Sequence, residues 1–239
     1  MLLLAAFWAS VLLGWQVLHA QNPIIPTPVE VAREWVEQVK QGLFVRLVES
    51  YTLNLWGLLI SSALSLGLAY LSVVAIVRPG VELISRLRFL GMTGITFVFG
   101  MYLSGRALQV AMLVFGVVVF YLTSMLSVVR AIPEAELDHA RTLRMGPWRI
   151  VWEVGVRGTL DQALDVLRQN AAMGWMMLTM VEGLVRSEGG VGVMLIDQNR
   201  RLNLAGVFAI QASILAVGML QDFVIHQVRA MICPFARER

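Results

Sequence analysis

The sequence predicts an all-α integral membrane protein, about six transmembrane helices forming one domain over residues 1–239. Two observations carry this. The chain is 58% hydrophobic and 15% charged, with mean hydropathy +0.72, whereas a soluble domain is nearly half apolar and about 25% charged. In addition, residues 2–20, 51–77, 107–129 and 202–221 contain no Asp, Glu, Lys or Arg. About 20 residues at roughly 1.5 Å rise cover a hydrocarbon core of about 30 Å, and a charge at mid-membrane costs roughly 2.5 to 3.5 kcal/mol. Lipid is thus the expected solvent for most of the chain.

Residues 2–20 form the first expected span. A cleavable signal peptide is the alternative, opposed by the absence of a positive residue ahead of the apolar run and by Leu18 where a small residue is wanted. Residues 22–28, rich in proline, read as a connector. Residues 28–48 then read as an amphipathic helix on the outer membrane surface, with Val31, Trp35, Val39 and Leu43 on its apolar side. The core spans follow within residues 51–230. After 51–77 comes a shorter uncharged span, 89–105, separated from 107–129 only by Arg106, so that these two read as a tight hairpin. The sixth, 164–185, carries Arg168 near one end and Glu182 near the other, and 202–221 is the last.

Orientation follows from the retention of Lys and Arg in cytoplasmic loops. With the N-terminus inside, the inner segments hold Arg78, Arg86, Arg88, Arg130, Arg141, Arg144, Arg149, Arg157, Arg168, Arg229, Arg237 and Arg239; the outer ones hold Arg33, Lys40, Arg46, Arg106, Arg186, Arg200 and Arg201. Both termini are therefore expected in the cytoplasm. The net charge of +3 comes from arginines scattered between apolar runs, which lack the clustering and interleaved aromatics of a nucleic-acid surface. The one cysteine, Cys233, permits neither an intrachain disulfide nor a thiolate metal site. No Gly-x-x-x-x-Gly-Lys-Ser/Thr run is present, so the chain is not an ATPase by itself.

Residues 131–161 make the longest polar excursion on the inner side. Pro133 suits a helix start, Glu134 and Glu136 suit its first turn, and Leu137, Ala140, Leu143 and Arg144 recur at helical spacing. Gly146-Pro147 is expected to break that helix. A second one should follow, with Trp148, Ile150, Val151, Trp152 and Val154 as its apolar flank beside Arg149, Glu153 and Arg157.

These residues resemble the permeases of bacterial ABC importers, which carry a cytoplasmic loop of the form Glu-Ala-Ala, three residues, Gly, then an apolar stretch ending in Leu-Pro. Here Asp138-His139-Ala140 stands for Glu-Ala-Ala, Arg141-Thr142-Leu143 follows as in many members, and Trp148, Ile150 and Trp152 match the apolar stretch. Arg144 occupies the glycine position, with Gly146 two residues on, and Val156-Arg157 replaces Leu-Pro. The nitrate/sulfonate/taurine branch is resembled elsewhere in the same order. Ile25-Pro26-Thr27-Pro28-Val29-Glu30-Val31 is similar to its Leu-Pro-Ser-Pro-x-Glu-Val, and Gly174-Trp175, Glu182 and Ser187-Glu188-Gly189-Gly190-Val191-Gly192 are similar to its Trp, Glu and Ser-Gly-Leu-Gly segment.

The resemblance covers about residues 22–230. It implies a permease in the bacterial inner membrane that moves solute inward by alternating access. The implied partners are ABC ATPase subunits that bind ATP and Mg, a second permease copy or related chain, and a periplasmic or lipid-anchored solute-binding protein; no cofactor is implied on this chain. Its coupling loop would be Asp138, His139, Ala140, Arg141, Leu143, Arg144, Gly146 and Trp148. Glu182, an ionisable residue inside a span, is a gate candidate by default, with Trp175, Gly190 and Gly192 beside it as pathway candidates. The substrate class implied is nitrate, a sulfonate, taurine or bicarbonate, yet similar permeases also serve uncharged and cationic solutes. The rival readings are a proton- or ion-coupled secondary transporter, which wants several buried carboxylates or broken helices near the midplane, and a membrane-embedded enzyme. For the latter no His/Glu metal pair at helical spacing and no Gly-x-Ser-x-Gly is found, and His19, His139 and His226 are dispersed. No catalytic or metal-binding residue is therefore expected.

Overall fold

A computed structural model describes residues 25–73 and 77–233, together with Gly14. The expected first span, 2–20, apart from Gly14, and residues 22–24 of the connector lie outside the described residues. Among the described residues every regular element is helical. Three helices among these residues are long and apolar enough to cross a membrane, and a bent pair would make a fourth.

Helix α1 (Pro28–Lys40) starts where the Thr-Pro-x-Glu sequence dictates. Thr27 caps it: its hydroxyl accepts the Glu30 N–H at 3.3 Å while its own N–H donates to Glu30 Oε2 at 2.7 Å, with Pro28 in the first turn. The helix expected over 28–48 is in fact two, because Gly42, at φ 93°, turns the chain into α2 (Leu43–Leu71). The apolar side expected for residues 28–48 also does not face outward alone. Val39 and Leu43 join the bundle core, and Trp35 Nε1 donates to Ser213 Oγ at 2.9 Å.

Helix α2 packs along α5 (Gly105–Arg130) through small residues one turn apart. A Cβ at Gly57 would overlap the Leu113 side chain. Below it, Ser61 and Ser65 donate to the carbonyls of Val114 and Val118 at 3.4 and 3.3 Å. Close backbone approach of this kind is how helices associate without a hydrophobic driving force between them.

The span expected over 89–105 requires correction. Helix α3 (Arg78–Arg86) and a 3-10 turn, Leu87–Phe89, meet α4 (Met92–Gly100) at 105°. Leu90 and Gly91 are extended at the break, and nine residues of α4 reach only about 14 Å. It does fold back on α5, as the expected hairpin would.

Helix α8 (Leu160–Leu184) carries Asp161, Asp165, Arg168 and Glu182 and is therefore absent from the three most apolar helices. It nevertheless sits centrally, packed by α2, α5, α9 (Val191–Arg200) and α10 (Leu204–Ile232). Helix α10 runs eleven residues beyond the expected 202–221 because its charged end is answered by α8. Arg168 grips Asp222 with two bonds, 2.6 and 2.9 Å, and Arg229 donates to Asp161 at 2.8 and 3.1 Å and to Asp165 at 2.9 Å.

Candidate functional site

Two regions hold the residues singled out from the sequence, at opposite ends of the bundle. The first is the projection between α5 and α8. Pro133 precedes α6 (Glu134–Thr142), whose first turn is acidic as expected, and the helix ends at Leu143. Arg144 then takes a left-handed conformation, φ 53°, and Gly146 caps α7 (Pro147–Ile150). The break thus falls on Arg144 to Gly146. The position where the resembled pattern has glycine is the one with positive φ, which glycine alone adopts without strain.

Helix α7 runs into a π turn, Val151–Arg157, a local widening found often at functional positions. Helix α6 lies on this turn, burying Ala140 and leaving Asp138, His139, Arg141, Leu143 and Arg144 exposed. Arg141 bonds Asp138 at 2.7 Å, with both groups about two-thirds exposed (69% and 66%), a pairing of little energetic weight. Leu143, Trp148 and Trp152 are exposed as well, at 57, 69 and 58%. Large aromatics and arginine on one open surface are the composition of an interaction patch. The projection is tied to the bundle by Thr159, which donates to the Gly155 carbonyl at 2.6 Å and shares a 3.3 Å hydrogen bond with the Tyr70 hydroxyl at the end of α2.

The second region lies at the other end and unites three of the four pathway candidates. Glu182 is fully buried. Its Oε1 accepts from Ser50 Oγ at 2.6 Å and its Oε2 from the Gly192 N–H at 2.8 Å, while Ser50 Oγ accepts the Val191 N–H at 3.0 Å. Gly190, at φ 110°, passes so close that a Cβ there would overlap the Glu182 carboxyl. Glycine is required on both counts. One carboxylate thereby fastens the start of α9 to α2 and α8.

Neighbouring bonds extend this closure. Arg106 donates to the Glu49 carbonyl at 3.1 Å, and Gln109 Nε2 to the Val185 carbonyl at 2.9 Å, which draws α5 into the same knot. On the next loop Arg186 pairs with Asp197. Trp175, the fourth candidate, stands two turns away on α8. It stacks on Tyr51 with ring centroids 6.2 Å apart, and its Nε1 donates to Gln221 Oε1 at 2.8 Å.

Ser50, Gln109 and Asn54 were not singled out from the sequence, and Gln221 is read there only as part of the polar inner end of the last span. Each is an uncharged polar side chain within or beside an apolar run, so a search for charges passes over it. Each is buried and bonded across helices in the fold. Among the described residues no group of three or more His, Cys, Asp or Glu is placed to hold a metal ion. The chain matches no protein-family model, and no curated protein matches it.

Proposed function

We propose that this chain is the transmembrane permease subunit of an ATP-driven ABC importer, passing a small solute inward through the bacterial inner membrane while a separate subunit hydrolyses ATP with Mg. The single observation that carries this reading is the projection over residues 131–161. Its α6, left-handed Arg144 and α7 place a tight turn where the resembled coupling loop has glycine, and they leave Leu143, Trp148 and Trp152 uncovered. Such a surface suits a partner that grips it.

The mechanism needs two arrangements of the bundle, close in free energy, that the partners bias differently. Closing of the ATPase pair draws the projections of two permease copies together. The Tyr70–Thr159 contact passes that displacement to α2, and α8 carries it to the Glu182 knot. In this reading the knot closes the outer end, where a liganded solute-binding protein would favour its opening. Six spans with both termini inside, counting residues 2–20 and the bent α3–α4 pair, fit this assignment.

Sidedness tests it. Cys233→Ser removes the one cysteine, and Leu143→Cys then offers a single reactive site on the projection. The proposal expects a membrane-impermeant maleimide to label Leu143→Cys only in inverted vesicles. Labelling of intact cells would place the projection outside and overturn the assignment.

A further inference from the structure

A cavity of about 670 Å³ opens between α8 and α10, within the usual range of small-molecule sites. Its walls are mostly apolar, with Trp175, Met219 and Phe223 the largest of them, and its polar groups are Arg168, Gln221, Asp222, His226 and the exposed Gln211. The state of each polar group defines what the cavity would accept. Arg168 and Asp222 satisfy one another through two bonds, so neither offers a free charge to a ligand.

Gln221 differs from these. It is only 4% exposed. Its Oε1 accepts from both Asn54 Nδ2, at 3.2 Å, and Trp175 Nε1, at 2.8 Å. Two donors aimed at one atom fix the orientation of the amide. Its Nε2 is itself covered and consequently has no hydrogen-bond acceptor among the described residues, although a buried amide donor left unpaired costs roughly 1 to 3 kcal/mol. The indole and the α2 asparagine thus hold a donor beside a cavity whose other surfaces favour an apolar ring.

We infer that this cavity is the solute subsite of the permease, taking a neutral molecule with a flat apolar body and a hydrogen-bond acceptor, a carbonyl or ring nitrogen, directed to Gln221 Nε2. This rests on the permease reading, but it points away from the small anions that the resemblance implies. An anion would find Arg168 already neutralised. Gly218 leaves room above the indole, since even a Cβ there would lie only at van der Waals distance, 3.7 Å, from Trp175.

The test uses the full-length chain in proteoliposomes. On the Cys233→Ser background, Met219→Cys places one thiol in the cavity wall, and the rate of its reaction with N-ethylmaleimide is followed with naphthamide as competitor. Naphthamide is expected to slow the reaction saturably. Ethylnaphthalene, which lacks the acceptor, and naphthoate, which adds a charge, should both be weaker. Gln221→Leu should weaken naphthamide protection about tenfold, the scale of one hydrogen bond. Ala172→Trp, at an exposed position of the wall that leaves the Gln221 network intact, should abolish it.

Equal protection by ethylnaphthalene would mean a lipid-binding groove, and stronger protection by naphthoate an anion site; either result overturns the inference, as does no protection at all. Retention of an ATPase by the same preparation is read separately. If the ATPase is held and naphthamide fails, the cavity assignment falls alone. If naphthamide binds and no ATPase is held, the permease reading falls and the cavity remains a ligand site.

Discussion

The Ser50 hydroxyl donates to Glu182 Oε1 at 2.6 Å and in the same geometry accepts the Val191 N–H at 3.0 Å. A single hydroxyl on α2 therefore links the buried carboxylate of α8 to the first residue of α9. Removing the carboxylate orphans both Ser50 and the Gly192 N–H. Glu182→Ala should destabilise the protein by roughly 2 kcal/mol or more and expose residues 186–190 to protease, as read by thermal unfolding in detergent and limited proteolysis. Glu182→Gln, which keeps one acceptor, should fall between it and the parent.

Two glycines separate backbone strain from steric overlap. Gly42 and Gly190 both have positive φ, 93° and 110°, but a Cβ at Gly42 meets nothing within 4 Å whereas one at Gly190 overlaps Glu182. Gly42→Ala should cost only the left-handed penalty, roughly 1 to 2 kcal/mol. Gly190→Ala should cost distinctly more and reproduce the protease sensitivity of Glu182→Ala. Equal midpoints for the two variants would contradict the placement of Gly190 against the carboxyl.

Arg144 holds a left-handed backbone without being glycine. Arg144→Gly should stabilise the α6–α7 turn by about 1 kcal/mol, and Arg144→Val should weaken it by a similar amount or more. Hydrogen exchange at the Arg144 and Met145 amides, which bond the Arg141 and Ala140 carbonyls, reports the turn directly.

The Arg168–Asp222 pair is between a third and a half exposed, so solvent screening limits its worth to about 1 kcal/mol. Arg168→Asp puts two carboxylates face to face and should lower the unfolding midpoint. Adding Asp222→Arg restores opposite charges and should recover most of the loss. Failure of the second change to rescue the first would mean that α8 and α10 are not paired at this level.

Legibility in the sequence followed the type of signal. Charge-free length announced α2, α5 and α10, and the proline-rich connector ending at Pro28 marked the start of α1. Pro133 and Gly146-Pro147 bracketed α6 in the projection, since proline and glycine act locally. The span expected over 89–105 is instead a bent pair, because hydropathy does not register the extended Leu90-Gly91 step that bends α3 against α4. The end of α10 was set too early because Asp222 and Arg229 look like a boundary until Arg168, Asp161 and Asp165 are found opposite them. Glu182, Gly190 and Gly192 could be named as candidates, but their partner Ser50 lies 132 residues from Glu182. No local pattern reveals that separation.

The central claim is that the exposed face of the projection is gripped by an ATPase, and co-purification from the native membrane measures it most directly. The parent chain should retain a nucleotide-hydrolysing subunit in detergent. Trp148→Asp, which changes an exposed side chain and should leave the unfolding midpoint unaltered, should release it, as should the same change at Leu143. An ATPase retained equally by both variants, or one never retained by the parent, would contradict the account.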